Sequence, residues 1–488
     1  MMRAGDVLDF PPARAVVHRR TRRDPLPRFK PSIAGQMDAL SGCPDAMLPK
    51  DHRARQAEAM VALLDVSAIE AKRSSLGRRG FEPRRMLAVW VYASWCGVHH
   101  STKLGELLKT DLAYRYLSGG YRISAGILRE FRRENFELFE NAIQQTVELA
   151  AKANLIPLEE LATDSVRLRA HAGMSQVRTL SRSTKRLEEL AARPVEGMTA
   201  EEHQKHLEKV EKHTTAVARC EREGTTNHVL TNPSAALMKF PHGGSAPGHR
   251  VTVTAAGTEL RLVVSLLIDS AGNDFGKLKP AVEQARAALT KAGVPADAAL
   301  RIAADGGYTS EADLLFAITH PTAEILLATG PLRGHRNTNG AKFFTRDDFA
   351  LADDGRMTCP AGTQMQGPSP DGPEQIRYNG VGCLQCPLRE KCTDKKVRTL
   401  TLRPRLEEAR KAMLAKMQVP EAAHNYRRRC CTVEPVFSGL QDQMGFRRVS
   451  TRVASAARAE IMLKVLAYNL SRLAKGDRLR RVFIVFAL

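Results

Sequence analysis

Three acids stand in apolar or strand-like surroundings, where a carboxylate is costly unless it is paired, hydrogen-bonded or bound to a metal. Asp164 lies inside "EELATDSVRLRA", and Asp305 ends the apolar run of "LRIAADGGYTS". Glu434 sits among Val433, Val436 and Phe437 in "YRRRCCTVEPVFSGLQ". Two such carboxylates held close together resist joint ionisation unless a divalent cation lies between them. Mg²⁺, or Mn²⁺ in its place, takes oxygen ligands, and a pair of ions clamps the two oxygens of an in-line phosphoryl displacement. Gly306 and Gly307 would let the chain turn sharply beside Asp305. Two of the acids also have a plainer reading: Asp305 as the cap of the following helix, Glu434 as a surface residue or ion-pair partner.

The cysteines form a second set. Cys359, Cys383, Cys386 and Cys392 are spaced C-x23-C-x2-C-x5-C in a stretch rich in Gly and Pro. Four thiols with one CxxC could hold a tetrahedral Zn²⁺; free thiols in a small ribbon, or redox chemistry, are the alternatives. Cys430 and Cys431 read as core residues beside Glu434, and Cys43, Cys96 and Cys220 as inert singletons. The N-terminal thirty residues show no apolar signal segment, so a reduced, cytoplasmic and nucleoid-associated setting without disulfides is expected.

Periodicity gives the elements that must position these residues. Residues 1–48 read as a flexible basic arm, and 49–156 as a helical domain with apolar residues at i, i+3, i+4 and i+7. "SGGY" at 118–121 breaks two of its helices, as a helix-turn-helix requires. The span 157–475 starts with a strand around Asp164 and carries two insertions, a charged helical one at 175–245 and the cysteine-bearing one at 330–400, expected to be irregular. Between and after them come two strands in "HRVTVTAAGTELRLVVSLLID", the helix "LKPAVEQARAALTKAG", the strand "ALRIAAD", a helix at 310–318 and the strand "AEILLAT". Helices follow at 404–418, around 434 and in "ARAEIMLKVLAYNLSRLAK"; a basic and apolar tail occupies 476–488. Without the insertions this is the order of an α/β fold with a mixed sheet, an RNase H-like core. In that order the first and fourth strands are central neighbours. Asp164 and Asp305, 141 residues apart, would face each other, and Glu434 would join them from a late helix.

The 488 residues hold 74 Lys plus Arg against 53 Asp plus Glu, a formal charge of +21 that points to a polyanion such as DNA. The densest basic clusters are "GRRGFEPRR", with Arg78, Arg79, Arg84 and Arg85, and "LREFRRE", with Arg129, Arg132 and Arg133. A helix carrying these arginines could enter a major groove; a solvated face is the alternative. No Walker loop or serine triad is present, so ATP hydrolysis and acyl transfer have no support. The longest apolar stretch, "MLAVWVYASWCGV", is too short to span a membrane.

"ATDSVRLRAHA", "NDFGKLKPAVEQ", "ADGGYTS" and "YRRRCCTVEPVFSGLQ" together resemble the successive motifs of the DDE transposases of bacterial insertion sequences. The branch most similar has a helical N-terminal domain, matched by "GVHHSTKLGELLKTDLAYRYLSGG", and a cysteine-bearing insertion before its glutamate. The resemblance implies that Asp164, Asp305 and Glu434 form the metal-binding triad. It implies that Tyr426 and Arg429 orient the glutamate helix and contact terminal phosphates, and that Asp269 and Asp274 stand outside the site. It also implies Mg²⁺-dependent cleavage at the element ends, strand transfer without ATP, and a homodimer on paired inverted repeats. The chain departs from the pattern at Gln441, where Lys is expected, at Ser438 for Gly, at Asn232 for Asp, and at Ser165–Arg167 after the first acid. Two other readings stay open: a degenerate DNA-binding descendant, and a metal nuclease that cuts without joining.

Overall fold

The computed structural model describes residues 29–37, 42–72, 79–241, 243–270, 274–328, 343–352, 354–372, 374–476, 478 and 481–484. Residues 1–28 of the expected arm, and Arg78, lie outside them. Eight helices come first: α1 (Pro44–Met47), α2 (Arg53–Ala62), α3 (Ser67–Ala71), α4 (Pro83–Trp95), α5 (Ser101–Thr110), α6 (Leu112–Leu117), α7 (Ala125–Glu134) and α8 (Phe136–Lys152). Next are β1 (Leu161–Arg169), β2 (Val177–Thr179), α9 (Leu180–Ala191), α10 (Ala200–Glu223), β3 (Asn227–Val229), β4 (Ala236–Lys239), β5 (Ser245–Ala256), β6 (Leu262–Asp269) and α11 (Leu278–Lys291). Then come β7 (Leu300–Ala304), α12 (Glu311–Thr319), β8 (Ala323–Leu327) and the short strands β9 (Ala350–Leu351), β10 (Met357–Thr358), β11 (Gln366–Pro370), β12 (Ile376–Asn379) and β13 (Thr399–Leu402). Helices α13 (Pro404–Gln418), α14 (Pro420–Arg427), α15 (Arg429–Thr432), α16 (Glu434–Ser438) and α17 (Ala454–Leu473) follow. The chain divides into a larger unit, 1–273 with 281–298 and 430–488, and a smaller one, 274–280 with 299–429.

In the larger unit α4 and α17 are buried on nearly every side, α17 with Glu460, Lys464 and Asn469 among its buried residues. The Trp95 indole N–H donates to the Ala467 carbonyl at 2.7 Å, and Asn469 on α17 bonds both the N–H and C=O of Val263 and the Thr146 hydroxyl. The Ser118–Tyr121 break is confirmed: Asp111 caps α6, Ser124 caps α7, and Gly119 and Gly120 take the left-handed backbone at φ +71° and +86°. A Cβ at Gly120 would lie 2.7 Å from Ile33, because the described residues before α1 dock here through the Ile33 N–H to Gly119 O bond at 2.9 Å. The described residues of the arm, 29–37 and 42–48, are therefore packed against the helical domain, with Ala34 and Leu48 buried.

The sheet of this unit is organised by β5, antiparallel to β1 from Leu161↔Ala256 to Arg169↔Gly248, and to β4 and β6. The charged insertion is a helical pair, α9 and α10, the latter opened by a Thr199–Glu202 capping box and closed by left-handed Gly224. It is not wholly helical: β2 pairs β3 at its base and β4 joins β5, in runs of three or four residues too short to announce a period. Among the described residues of the C-terminal tail, Val482 is fully buried and Arg481 donates to the carbonyls of Ala153 and Asn154.

In the smaller unit β7 and β8 run parallel, Leu300↔Ala323 to Ala304↔Leu327. Ala303, Leu326 and Ala422 pack between them and α14, with Met417 and Tyr426 at the edge. The cysteine-bearing insertion corrects the expectation of irregular chain. From residue 343 it is a small β-ribbon, β9–β10 and β11–β12–β13, with its own core of Phe349, Met357, Met365, Tyr378, Leu400 and Leu402.

Candidate active site

Asp164 is half-buried in the middle of β1, opposite Val253 on β5, and its carboxylate accepts the Ser165 N–H at 2.7 Å. Thr163 and Thr254 bond hydroxyl to hydroxyl at 2.9 Å beside it, which fixes the register of the acid-bearing strand. Glu434, in the same unit, opens α16 as an exposed residue between buried Val433 and Val436. The short α16 runs straight into a π-helical turn, Gly439–Gln443. Gly439 is required there, since a Cβ would lie 2.5 Å from the Tyr468 ring on α17. At the two altered positions nearby, the Ser438 hydroxyl donates to Asp442 at 3.0 Å and the Gln441 carbonyl accepts from Arg447 at 3.3 Å.

Asp305, in the smaller unit, ends β7 and caps the 3-10 turn Gly306–Tyr308 by accepting the Gly307 N–H. The plainer capping reading is thus realised, and it leaves the carboxylate half-buried at the strand end. The two glycines do not supply the sharp turn through left-handed backbone, because neither has positive φ. They supply room. A Cβ on Gly307 would lie 2.8 Å from one Asp305 oxygen and 3.1 Å from one Asp274 oxygen, and a Cβ on Gly306 3.1 Å from the Ala328 carbonyl.

Asp274, set aside in the sequence, therefore lies over Gly307 with a carboxylate oxygen within about 6 Å of Asp305's. Its loop is held by Asp313, almost fully buried, which accepts the N–H groups of Gly276 and Leu278 at 2.7 and 3.2 Å and the Ser310 hydroxyl. The sequence signal was the "ND" of "GNDFGK", but nothing in its spacing says where that loop folds. Tyr426 packs on Ala303 and Leu326, the strand pair that carries Asp305, and Arg429 opens α15 three residues later.

Two of the three acids lie in one unit and the third in the other. Among the described residues no three His, Cys, Asp or Glu side chains gather at metal-binding range. The donors are all carboxylate oxygens, the chemistry a hard divalent cation takes. The four cysteines of the insertion line one cavity of about 340 Å³ with Phe344, Met365 and Arg398, each thiol half-buried. Burial pushes the Cys392 thiol up against the pull of Arg398. Cys430 and Cys431 are exposed, not core.

The basic residues divide. Arg84 donates to the carbonyls of Val61, Ala62 and Leu64 at the end of α2, and Arg85 pairs with Glu58 and Glu82. Arg132 is buried over the Trp90 ring and spent on His99 O, Ser450 and Glu460. These three hold the helical domain together. Arg129 and Arg133 are exposed, the latter paired to Glu134 at 2.8 Å. No helix among the described residues is long and apolar enough to cross a membrane.

Two family models match the chain. Residues 43–134, the helical domain, match a transposase domain, and residues 358–474 match a transposase DDE domain. The second match contains the four clustered cysteines, Tyr426, Arg429 and Glu434; Asp164 and Asp305 precede it. No curated protein matches the chain. The two matches follow one another along the chain, the helical transposase domain first and the DDE domain last, over an α/β fold with an RNase H-like core, and together they support a DDE-type insertion-sequence transposase.

Proposed function

We propose that this transposase cleaves DNA at the ends of its element and joins the freed ends to target DNA, with Asp164, Asp305 and Glu434 as its metal-holding acids. The observation that carries the reading is the DDE-domain match across the segment where exposed Glu434 opens a helix on a buried apolar footing. Mg²⁺ held by these carboxylates would stabilise the charge that develops at phosphorus. Hydrolysis breaks the P–O3′ bond at the element end and leaves a 3′-OH. That hydroxyl then attacks a target phosphodiester, and one ester replaces another, so no ATP is needed. Tyr426 and Arg429 position the glutamate segment, and exposed Arg129 and Arg133 supply phosphate contacts from the helical domain. The family likeness supports a homodimer on paired inverted repeats. In the insertion, the thiols of Cys359, Cys383, Cys386 and Cys392 are a donor set for one structural Zn²⁺.

The test is cleavage and joining of labelled DNA carrying the element's flanking repeats, with Mg²⁺. Asp305→Asn and Glu434→Gln should each lose at least about 10²-fold in joined product while still binding DNA. Joining that survives either substitution would remove that acid from the site. Cleavage without joined product by the wild type would leave a nuclease, and binding alone a degenerate descendant.

A further inference from the structure

The larger unit holds a pocket of about 330 Å³ lined by Arg53, Gln56, Trp95, Gln443, Met444, Ser471, Ala474 and Lys475. Lys475 stands in a field of like charge. Burial lowers its pKa, and Arg472, Arg478, Arg53 and Arg261 lower it further. Five cations this close repel one another, and the four arginines are held by carbonyls or a ring. Arg261 donates to the carbonyls of Thr258 and Cys431, Arg472 to those of Leu260 and Glu259, and Arg478 to those of Glu259 and Arg472. Arg53 lies over the Trp95 ring, 5.4 Å from its centroid, and the Trp95 N–H is tied to Ala467. Among the described residues no ion pair neutralises any of the five. Elsewhere in this unit cations meet acids: Arg85 meets Glu58, and Arg132 meets Glu460. Arg53 and Lys475 thus bring two cationic groups to one pocket, with three further arginines acting on Lys475.

We infer that this pocket binds a backbone phosphate of the DNA strand led to Glu434, with Arg53 and Lys475 on the phosphate and Arg261, Arg472 and Arg478 supplying the surrounding field. Two of its eight lining residues, Gln443 and Met444, come from the segment that follows Glu434. The Cys431 carbonyl that holds Arg261 is three residues before Glu434, and Gln443 and Met444 end the π-helical turn that follows α16. A phosphodiester carries one negative charge on two accessible oxygens, which the Lys475 ammonium and the Arg53 guanidinium can share with the amides of Gln56 and Gln443 and the Ser471 hydroxyl. Trp95 is too buried for a base to stack on it, so the ligand is the backbone. The inference rests on the DNA-joining reading above.

The experiment is fluorescence anisotropy of a labelled 30-bp duplex against full-length protein from about 50 to 300 mM KCl. Wild type, the double variant Arg53→Gln/Lys475→Gln, and Lys475→Arg are compared. Each cation removed from a phosphate should flatten the plot of log K against log salt by roughly 0.9. The double variant should therefore bind about 10- to 100-fold more weakly near 150 mM, with a slope shallower by up to about two. Lys475→Arg should restore both. Equal affinity and slope in wild type and double variant would overturn the pocket and leave the transposase reading standing. A wild type that binds no DNA would overturn that reading and the pocket with it. If millimolar inorganic phosphate at constant ionic strength displaces DNA from wild type but not from the double variant, the site prefers a free anion, and its assignment to DNA backbone falls.

Discussion

Lys464 offers the most direct test of how the helical domain is joined to the catalytic core. It lies on α17, fully buried, and its ammonium donates to the Ser94 hydroxyl at 2.9 Å and the Val98 carbonyl at 3.4 Å, both on or just after α4. The charged groups that face it are Glu460, one turn earlier on α17, and Arg132 from α7; His99 is neutral above about pH 5, pushed down to about 4 mainly by its own burial. Burial lowers the Lys464 pKa from its ordinary 10.5 to about 7, with Glu460 opposing and Arg132 reinforcing the shift. The native value lies below the unfolded one. Between pH 7 and 10.5 the unfolded chain therefore holds the extra proton, and stability rises with pH by up to about 1.4 kcal/mol per unit. From pH 7 to pH 9 the integrated gain is roughly 2 kcal/mol. Lys464→Met keeps the volume and removes the titration. Urea unfolding at pH 7, 8 and 9 should show the wild type gaining that amount relative to the variant. Tryptophan emission is the readout, because both tryptophans of the chain, Trp90 and Trp95, are on α4 beside this network. Taking the difference between the two proteins cancels the cysteines, which titrate in both. Parallel curves would refute a depressed Lys464 and mean that water or a larger Glu460 contribution keeps it ionised.

Two further predictions concern the segments around the candidate acids. Gly439→Ala places a methyl group 2.5 Å from Tyr468, so it should cost about 1–3 kcal/mol in the same unfolding assay; a neutral result would mean that α16 is loosely seated on α17. Zinc analysis of purified protein should return one ion per chain, released by a mercurial thiol reagent and absent from Cys386→Ser; metal-free protein with an unchanged melting curve would leave the four thiols as packing in the ribbon.

The core strands and the long helices were legible because their residues carry a period. β7 and β8 are short, mostly apolar runs, and α8 and α17 show sustained apolar spacing, so their existence needed no tertiary knowledge. The fate of individual charges was not legible. "LREFRRE" reads as a uniform basic helix, yet Arg132 falls on the buried stripe with Leu128 while Arg129 and Arg133 face water. The distinction is one of helical phase against α17, a partner some 320 residues away. Arg84 was equally opaque: its three carbonyl partners are backbone atoms, which leave no trace in side-chain composition. The cysteine insertion hid its order because strands of two to five residues are too short to show alternation.

The candidate site shows a subtler version of the same limit. An acid at the end of a buried strand needs a partner, and a metal is one such partner. The structure adds local terms that act before any metal is considered. The Gly307 N–H already caps Asp305, and the glycine's missing side chain admits Asp274 from another loop. Asp313 ensures that the approach occurs, since its buried carboxylate ties down the backbone on either side of Lys277. Placing a second acid beside Asp305 makes that end of the strand more electronegative than a lone capping residue would be. On the reading proposed above, this is how the smaller unit would favour a divalent cation even though only one of its acids belongs to the triad. Gly307 is then explained by the space that two carboxylates need and Gly306 by the close Ala328 carbonyl, requirements that a dipeptide in a sequence cannot express.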